Sequence, residues 1–260
     1  MLGQNIIDLL CKVKNWMNAF FLKLNEGKTN IIVFAPKRIE NDVTIKGLFI
    51  DNQCIRFSNV VENLGVLLDS RLSFKEHVIK CTQSCYMTIK NISSVKSFLN
   101  TNQRKVLVTA LVLSQLDYCN GLLYNIDSTL VSQLQKVQNC AAKLIHNRRK
   151  YDTGLTSLYN SLHWLKVKER IVFKILLLTH KCIYGEAPQY LKEVITLSYN
   201  FSRTGNLLSV KTRYASSDGA FSSCAPQLWN TLPINIKFEL STVQFKRKLK
   251  KHLFECSHRY

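Results

Sequence analysis

The residues able to do chemistry in this 260-residue chain fall into three kinds, carboxylates, thiol and imidazole groups, and cations, and each carries a different expectation. Joining nucleotides with two metal ions requires carboxylates held side by side. The chain has no adjacent pair of acidic residues anywhere; Asp42, Asp51 and Asp69 are isolated. Asp117, in SQLDYCN, falls within a predicted helix and reads as a structural hydrogen-bonding residue rather than a metal ligand. His77, Cys81 and Cys85 are spaced i, i+4, i+8, and an i, i+4 pair on one helix can ligate zinc. A third ligand drifts around the helix and no fourth is apparent, so packing is the expected role. Cys256 and His258 are a weaker pair, and His163 and Trp164 read as packing residues. No glycine-rich phosphate loop or nucleophile elbow is present. No metal site and no cofactor are therefore expected.

The cations are the informative group. The chain carries 36 Lys and Arg against 17 Asp and Glu, a formal charge of +19. Residues 1–130 hold 15 basic and 10 acidic side chains, whereas residues 131–260 hold 21 and 7. The excess gathers in KLIHNRRK, which includes Lys143, Arg148, Arg149 and Lys150, and in KVKER with the following helix, where Arg170 and Lys174 are four apart. It gathers again in FKRKLKKH, with Lys246, Arg247, Lys248, Lys250 and Lys251. Phe245, Leu249 and Leu253 form an apolar stripe that can dock this last helix while its basic face stays wet. A single run can be a solvated face, and cations after a helix also answer its macrodipole. Three runs with few acids to pair them favour a surface for a polyanion, held through sequence-independent, salt-sensitive phosphate contacts.

Composition excludes other classes. A hydrophobic content of 46% with 9 Gly and 4 Pro is that of a folded chain, not a disordered one. No apolar run approaches the ~20 residues that span a bilayer, and the N-terminus lacks the pattern of a secretory signal. Nine scattered cysteines with no C-x-x-C pair read as reduced thiols. The expected location is intracellular, cytoplasm or nucleus, with no membrane partner.

The elements that must position these groups follow from periodicity and caps. Residues 2–21 have a helical apolar period. Residues 31–35 read as a strand, VTIKGLFI as a hairpin turning at Lys46-Gly47, and NVVENLGVLLD as a further strand ending near Asp69. A Ser73–Glu76 capping box predicts a long helix to about Leu99. Further helices are expected from Asn102, capped by Thr101, to about Tyr124, from Asp127 or Ser128 to about His146, at 155–162, at 167–184 closed by Gly185, and at 187–196. Residues 198–219 read as a flexible loop, and a Ser241–Gln244 box opens a final helix through Leu253. The fold expected is α+β and predominantly helical: a small antiparallel module over 1–72, then a helical bundle over 73–260.

Several stretches resemble a known family. NWMNAFFLKLNEGKTNIIVF is similar to the motif D region, and VVENLGVLLDSRLSF to the motif E primer grip, of reverse transcriptases of non-LTR (LINE and jockey type) retrotransposons. SQLDYCNGLLY, LQKVQNCAAKLIH, LHWLKVKERIVFKILLL, YGEAPQYL, GAFSSCAPQLWNTLP and STVQFKRKLKKHLF resemble the thumb and post-thumb region in the same order, so the resemblance covers essentially the whole chain. It implies a palm remnant followed by a thumb-like bundle. It also implies that the catalytic Asp motifs, which use Mg²⁺ in the parent enzyme, and the endonuclease domain lie upstream of this chain. By resemblance Lys28 sits near the incoming nucleotide, and Leu64, Gly65 and Val66 form the primer grip. The implied function is that of a truncated RNA-directed DNA polymerase, non-catalytic alone, binding RNA or an RNA–DNA or DNA duplex without sequence preference. The alternatives are a non-enzymatic helical interaction protein, a non-functional open reading frame, and a subunit completed by a palm fragment in trans.

Overall fold

The computed structural model describes residues 2–34, 47–50, 53–149, 151–209 and 219–257. The chain divides into two compact units, Met1–His77 and Val78–Tyr260. The architecture is α+β and predominantly helical, as the sequence pattern predicts. Among the described residues no helix is long and apolar enough to cross a membrane.

The first unit begins with helix α1 (Leu2–Ala19), whose apolar period is the predicted one. Two hairpins follow: β1 (Gly47–Ile50) with β2 (Gln53–Arg56), and β3 (Val60–Asn63) with β4 (Val66–Asp69), both antiparallel. Three expectations are corrected here. Residues 31–34 do not form a strand; Ile31 makes one parallel bridge to Phe57 and no further pairing. Gly47, expected in a turn, is instead a strand residue paired with Arg56 in a hairpin of β1 with β2; Lys46 and the strand expected before it lie outside the described residues. The segment 60–69 is not one strand but a hairpin, because Leu64 (φ 47°) and Gly65 (φ 79°) both turn left-handed, the conformation of a tight two-residue β-turn. Val66, Phe74 and Ile55 are buried in this unit.

Helix α2 (Lys75–Ser94) crosses the division between the units. Its start is organised by Asp69 rather than by a Ser73–Glu76 box. The Asp69 carboxylate accepts from the main-chain N–H groups of Arg71 (3.0 Å), Ser73 (3.1 Å) and Phe74 (2.7 Å). Burial disfavours the charged form, but these N–H donors outweigh it and hold the Asp69 carboxyl below its ordinary pKa.

In the second unit a helical run comprises α3 (Thr101–Val108), a π turn (Thr109–Leu113) and α4 (Ser114–Asp117). Its cap is Asn100, in a reciprocal capping box with Gln103, one residue before the predicted Thr101. Helix α5 (Ser128–Ile145), capped by Asp127, α6 (Leu155–Leu162) and α7 (Val167–Ile183) stand where the periodicity predicts them. Gly185 follows α7 at φ 86°, a conformation available to glycine without Cβ strain. The helix expected at 187–196 shrinks to α8 (Gln189–Lys192).

The expected loop is partly built. It contains α9 (Phe201–Thr204), and Trp229 Nε1 donates to the Gly205 carbonyl (2.8 Å). Asn230 fastens Leu207 through both its N–H (2.8 Å) and its carbonyl (2.9 Å). Residues 210–218 of that loop lie outside the described residues. Two helices were not predicted, α10 (Phe221–Asn230) and α11 (Ile234–Lys237); α12 (Thr242–Ser257) then runs a turn beyond Leu253. Leu176, Leu207, Trp229, Leu232, Ile236, Phe245 and Leu249 make one core cluster, with the His180 ring stacked on Phe245 at 4.1 Å between centroids.

Candidate nucleic-acid interface

Four helices of the second unit bring cations together, and the sequence explains how each is placed. Helix α5 ends in a paired hydrogen-bond pattern: Asn147 N–H donates to Leu144 O (3.2 Å), and Arg148 N–H to Lys143 O (2.9 Å), with Asn147 at φ 53°. This Schellman-type termination needs a left-handed residue after the last turn, a conformation asparagine tolerates. It fixes His146 and Arg148 just beyond the helix. The same helix positions α7. Gln135 Oε1 accepts the Val167 N–H (2.9 Å), an otherwise unpaired first-turn donor, and Gln138 Nε2 donates to Leu165 O (2.9 Å). The Tyr159 hydroxyl joins Gln135 to Asn139, tying α6 into the same network.

With α7 so placed, the Arg170 guanidinium meets Asp117 through two hydrogen bonds, Nε to Oδ1 (2.7 Å) and Nη2 to Oδ2. Asp117 is thus the structural hydrogen-bonding residue expected of it, and Arg170 is not a free cation. Helix α12 docks by Phe245 and Leu249, both fully buried. Lys250 therefore lies at the flank of the docked face; its ammonium is depressed by burial, then by Arg170, then by Lys105. His146 is likewise depressed, by burial first and then by Arg148, Arg104 and Lys105. Among the described residues, every charge that shifts these two groups is positive. The site therefore comprises Arg104 and Lys105 from α3, His146 and Arg148 after α5, Arg170 from α7 and Lys250 from α12. Of the six, only Arg170 has an acidic partner among the described residues.

Like charges brought within electrostatic reach cost free energy and call for an anion. Arg104 sharpens the point. It is 9% exposed, yet its Nε has no hydrogen-bond partner, while Nη2 donates only to Thr101 Oγ1 (3.2 Å). Arg104, Lys105 and His146 were not singled out from the sequence. One signal for them was available: no Asp or Glu occurs between Glu76 and Asp117, so the basic residues of that stretch have no local partners.

The remaining predicted residues are spread more widely. Lys174, Arg149, Lys246 and Arg247 are exposed, and none has an ion pair among the described residues. Lys143 is half-buried near the end of α5. Lys251 approaches Glu255 (3.9 Å), and Lys248 pairs with Glu239 (2.6 Å), so the far flank of α12 is partly neutralised. Lys150 lies outside the described residues. In the first unit Lys28 is exposed on a single 3₁₀ turn, Glu26–Lys28, whose main chain is held by Asn25. Leu64 is exposed at the hairpin tip, whereas Val66 points inward and is buried.

The thiols behave as packing groups. Cys81 Sγ contacts Gln115 O (3.8 Å) and Cys85 Sγ contacts Val112 O (3.9 Å); Cys81 and burial together push the Cys85 thiol up, keeping it protonated. His77 Nδ1 accepts from the Leu67 N–H at 3.5 Å. Among the described residues no three His, Cys, Asp or Glu side chains are grouped so as to hold a metal ion. Trp164 is buried, and His163 is exposed beside Phe254, their rings 6.0 Å apart.

No protein-family model, curated protein or solved structure matches the chain.

Proposed function

We propose that the chain is the primer-grip, thumb and post-thumb portion of a non-LTR-type reverse transcriptase, and that it holds RNA or an RNA–DNA hybrid by the phosphate backbone. The observation that carries this reading is the grouping of Arg104, Lys105, His146, Arg148, Arg170 and Lys250 from four helices, balanced among the described residues by one carboxylate, Asp117. The motif order along the sequence supports the family, and the charge on the second half supports the ligand. Contacts of this kind are made to phosphates by point charges, so they give affinity without reading bases. Polymerisation is not assigned to the chain alone, because its sequence has no adjacent carboxylates to hold two metal ions.

The test is a band-shift with RNA, DNA and hybrid duplexes over a range of salt. The expected result is sequence-insensitive binding that weakens steeply as salt rises; no binding to any of them at low salt refutes the reading. Primer extension with Mg²⁺ is expected to give no product from the chain alone, and product only if a palm fragment supplied in trans completes it.

A second reading, a helical interaction protein, is favoured by α1. Leu9, Val13, Trp16 and Phe20 are exposed at helical spacing, an apolar stripe suited to a partner helix. Association that is insensitive to salt and lost on Trp16→Ser, with no nucleic-acid binding, would select it.

A further inference from the structure

We propose that Glu186, Thr242 and His180 form a proton relay from the surface to the core, which lets the buried imidazole become charged within the folded chain and draws the start of α12 onto α7. The inference concerns the α7–α12 contact alone and stands apart from the nucleic-acid reading. His180 lies on α7 with no exposed surface, its ring stacked on Phe245 and 4.7 Å from the Tyr184 ring. A ring sealed in this way can change its charge only if a path brings the proton in and an acceptor receives the new N–H. Two contacts supply both. The hydroxyl oxygen of Thr242, the first residue of α12, is 3.5 Å from His180 Nδ1, and the same hydroxyl donates to Glu186 Oε1 (2.6 Å). Thr242 is half-buried and Glu186 is exposed, so the three groups run from core to solvent.

The other contact of the ring fixes its polarity. His180 Nε2 is 2.7 Å from Glu239 O, and a carbonyl only accepts, so Nε2 carries the proton of the neutral ring and Nδ1 its lone pair. Thr242 has one hydroxyl proton and gives it to Glu186. Nδ1 therefore faces an oxygen lone pair, which accounts for a separation at the outer limit of a hydrogen bond. A proton that reaches Glu186 passes to the Thr242 oxygen while the Thr242 hydroxyl gives its own to Nδ1. Glu186 is left a carboxylate, Thr242 neutral and the ring cationic, with Nδ1–H donating to Thr242 and Thr242 to Glu186. The Thr242–His180 contact is thus a hydrogen bond only in the charged state, where it is charge-assisted. Glu186 and Glu239 favour that state and Lys181 opposes it. Lys181 is itself 3.7 Å from Glu186, and Lys248 of α12 pairs with Glu239. Lys237, whose carbonyl accepts from the Tyr184 hydroxyl, directs its ammonium to Asn206 and Asn230. Helix α10, which brings Trp229 to the ring, has no charged residue.

The experiment is NMR of the histidine rings in the full chain, titrated with pH. At high pH the ring ¹⁵N shifts of His180 are expected to place its proton on Nε2. On acidification the ring should titrate while the chain is still folded, at a midpoint below the ordinary histidine value because burial outweighs the groups that favour the charge. Thr242→Val removes the acceptor of the charged ring and should lower that midpoint by about one pH unit or more. Thr242→Ser keeps the hydroxyl and should restore it, and the other histidines should not move in either variant. Thr242→Ala takes the place of Thr242→Val if the latter does not fold. A His180 proton found on Nδ1, a ring that gains its proton only as the chain unfolds, or a midpoint unchanged when the hydroxyl is removed overturns the relay.

Discussion

Asp117→Asn should make the protein less stable and a tighter binder of nucleic acid. Among the described residues Asp117 is the one acid that neutralises a member of the cationic cluster, through two hydrogen bonds from Arg170. Asparagine keeps the size of the side chain, so packing is conserved while the charge is lost. A hydrogen bond to a charged group is worth about 1.5–3 kcal/mol. The two side chains are 19% and 39% exposed, so solvent screening reduces the loss to about 1 kcal/mol. The gain in binding has a separate origin: Arg170 is released into the face it already borders, adding roughly one phosphate contact. That steepens the dependence of log K on log[salt] by about 0.9, which amounts to about a threefold larger loss of affinity for a fourfold rise in salt. Urea unfolding reads the first effect, and hybrid-duplex binding at several salt concentrations reads the second. Binding that weakens while the unfolding midpoint stays unchanged would refute this account of the Arg170–Asp117 pair, because Asp117 would then be helping to present the arginine rather than withholding it.

Phe245→Ala should cost about 3–5 kcal/mol, as expected for removing a fully buried aromatic side chain, and a thermal melt should show the loss. His180 is also fully buried, and burial holds its pKa below the ordinary value against the opposing hydrogen bond to Glu239 O. The unfolded chain therefore binds the proton more readily, so stability should be full above about pH 6.5 and fall as pH drops below it; a urea midpoint constant from about pH 7.5 to 5 would contradict this. Gly65→Ala should destabilise the β3–β4 hairpin by about 1 kcal/mol, because φ there is 79°; hydrogen exchange of the Val60–Asp69 pairs is the measure.

The parts of the fold that were legible in sequence are those in which local chemistry and tertiary packing agree. Helices α5, α6 and α7 have strong apolar periods and clear boundaries, Asp127 before one and Gly185 after another. The illegible parts were decided by contacts distant in sequence. Helix α10 contains Pro226 and follows a serine-rich stretch, which locally argues for a turn. It forms because Trp229 is wholly buried and bonded to Gly205 O, a partner 24 residues away. The start of α2 was misassigned for a different, local reason: a Ser-x-x-Glu pattern was present, but the Asp69 carboxylate, four and five residues earlier on the preceding strand, takes the Ser73 and Phe74 N–H groups.

The candidate site divides in the same way. Counting charge along the chain found Arg148, Arg170, Lys246 and Lys250, since runs of like residues are visible in one dimension. It could not show that Arg170 is neutralised by a residue 53 positions earlier, while the Nε of Arg104, in a short helix with only one cationic neighbour, has no hydrogen-bond partner. The number of cations is therefore a poor guide to where an anion is held. Lys248 and Lys251 add to the count but have acids beside them, whereas Arg104, Lys105, His146 and Arg148 have no acidic partner among the described residues. A phosphate is drawn to uncompensated charge that is already held in place, because little ordering entropy remains to oppose binding. By that criterion the proposed interface centres on Arg104, Lys105, His146 and Arg148, with Lys250 beside it, and the most densely basic stretch of the sequence, on α12, is its margin.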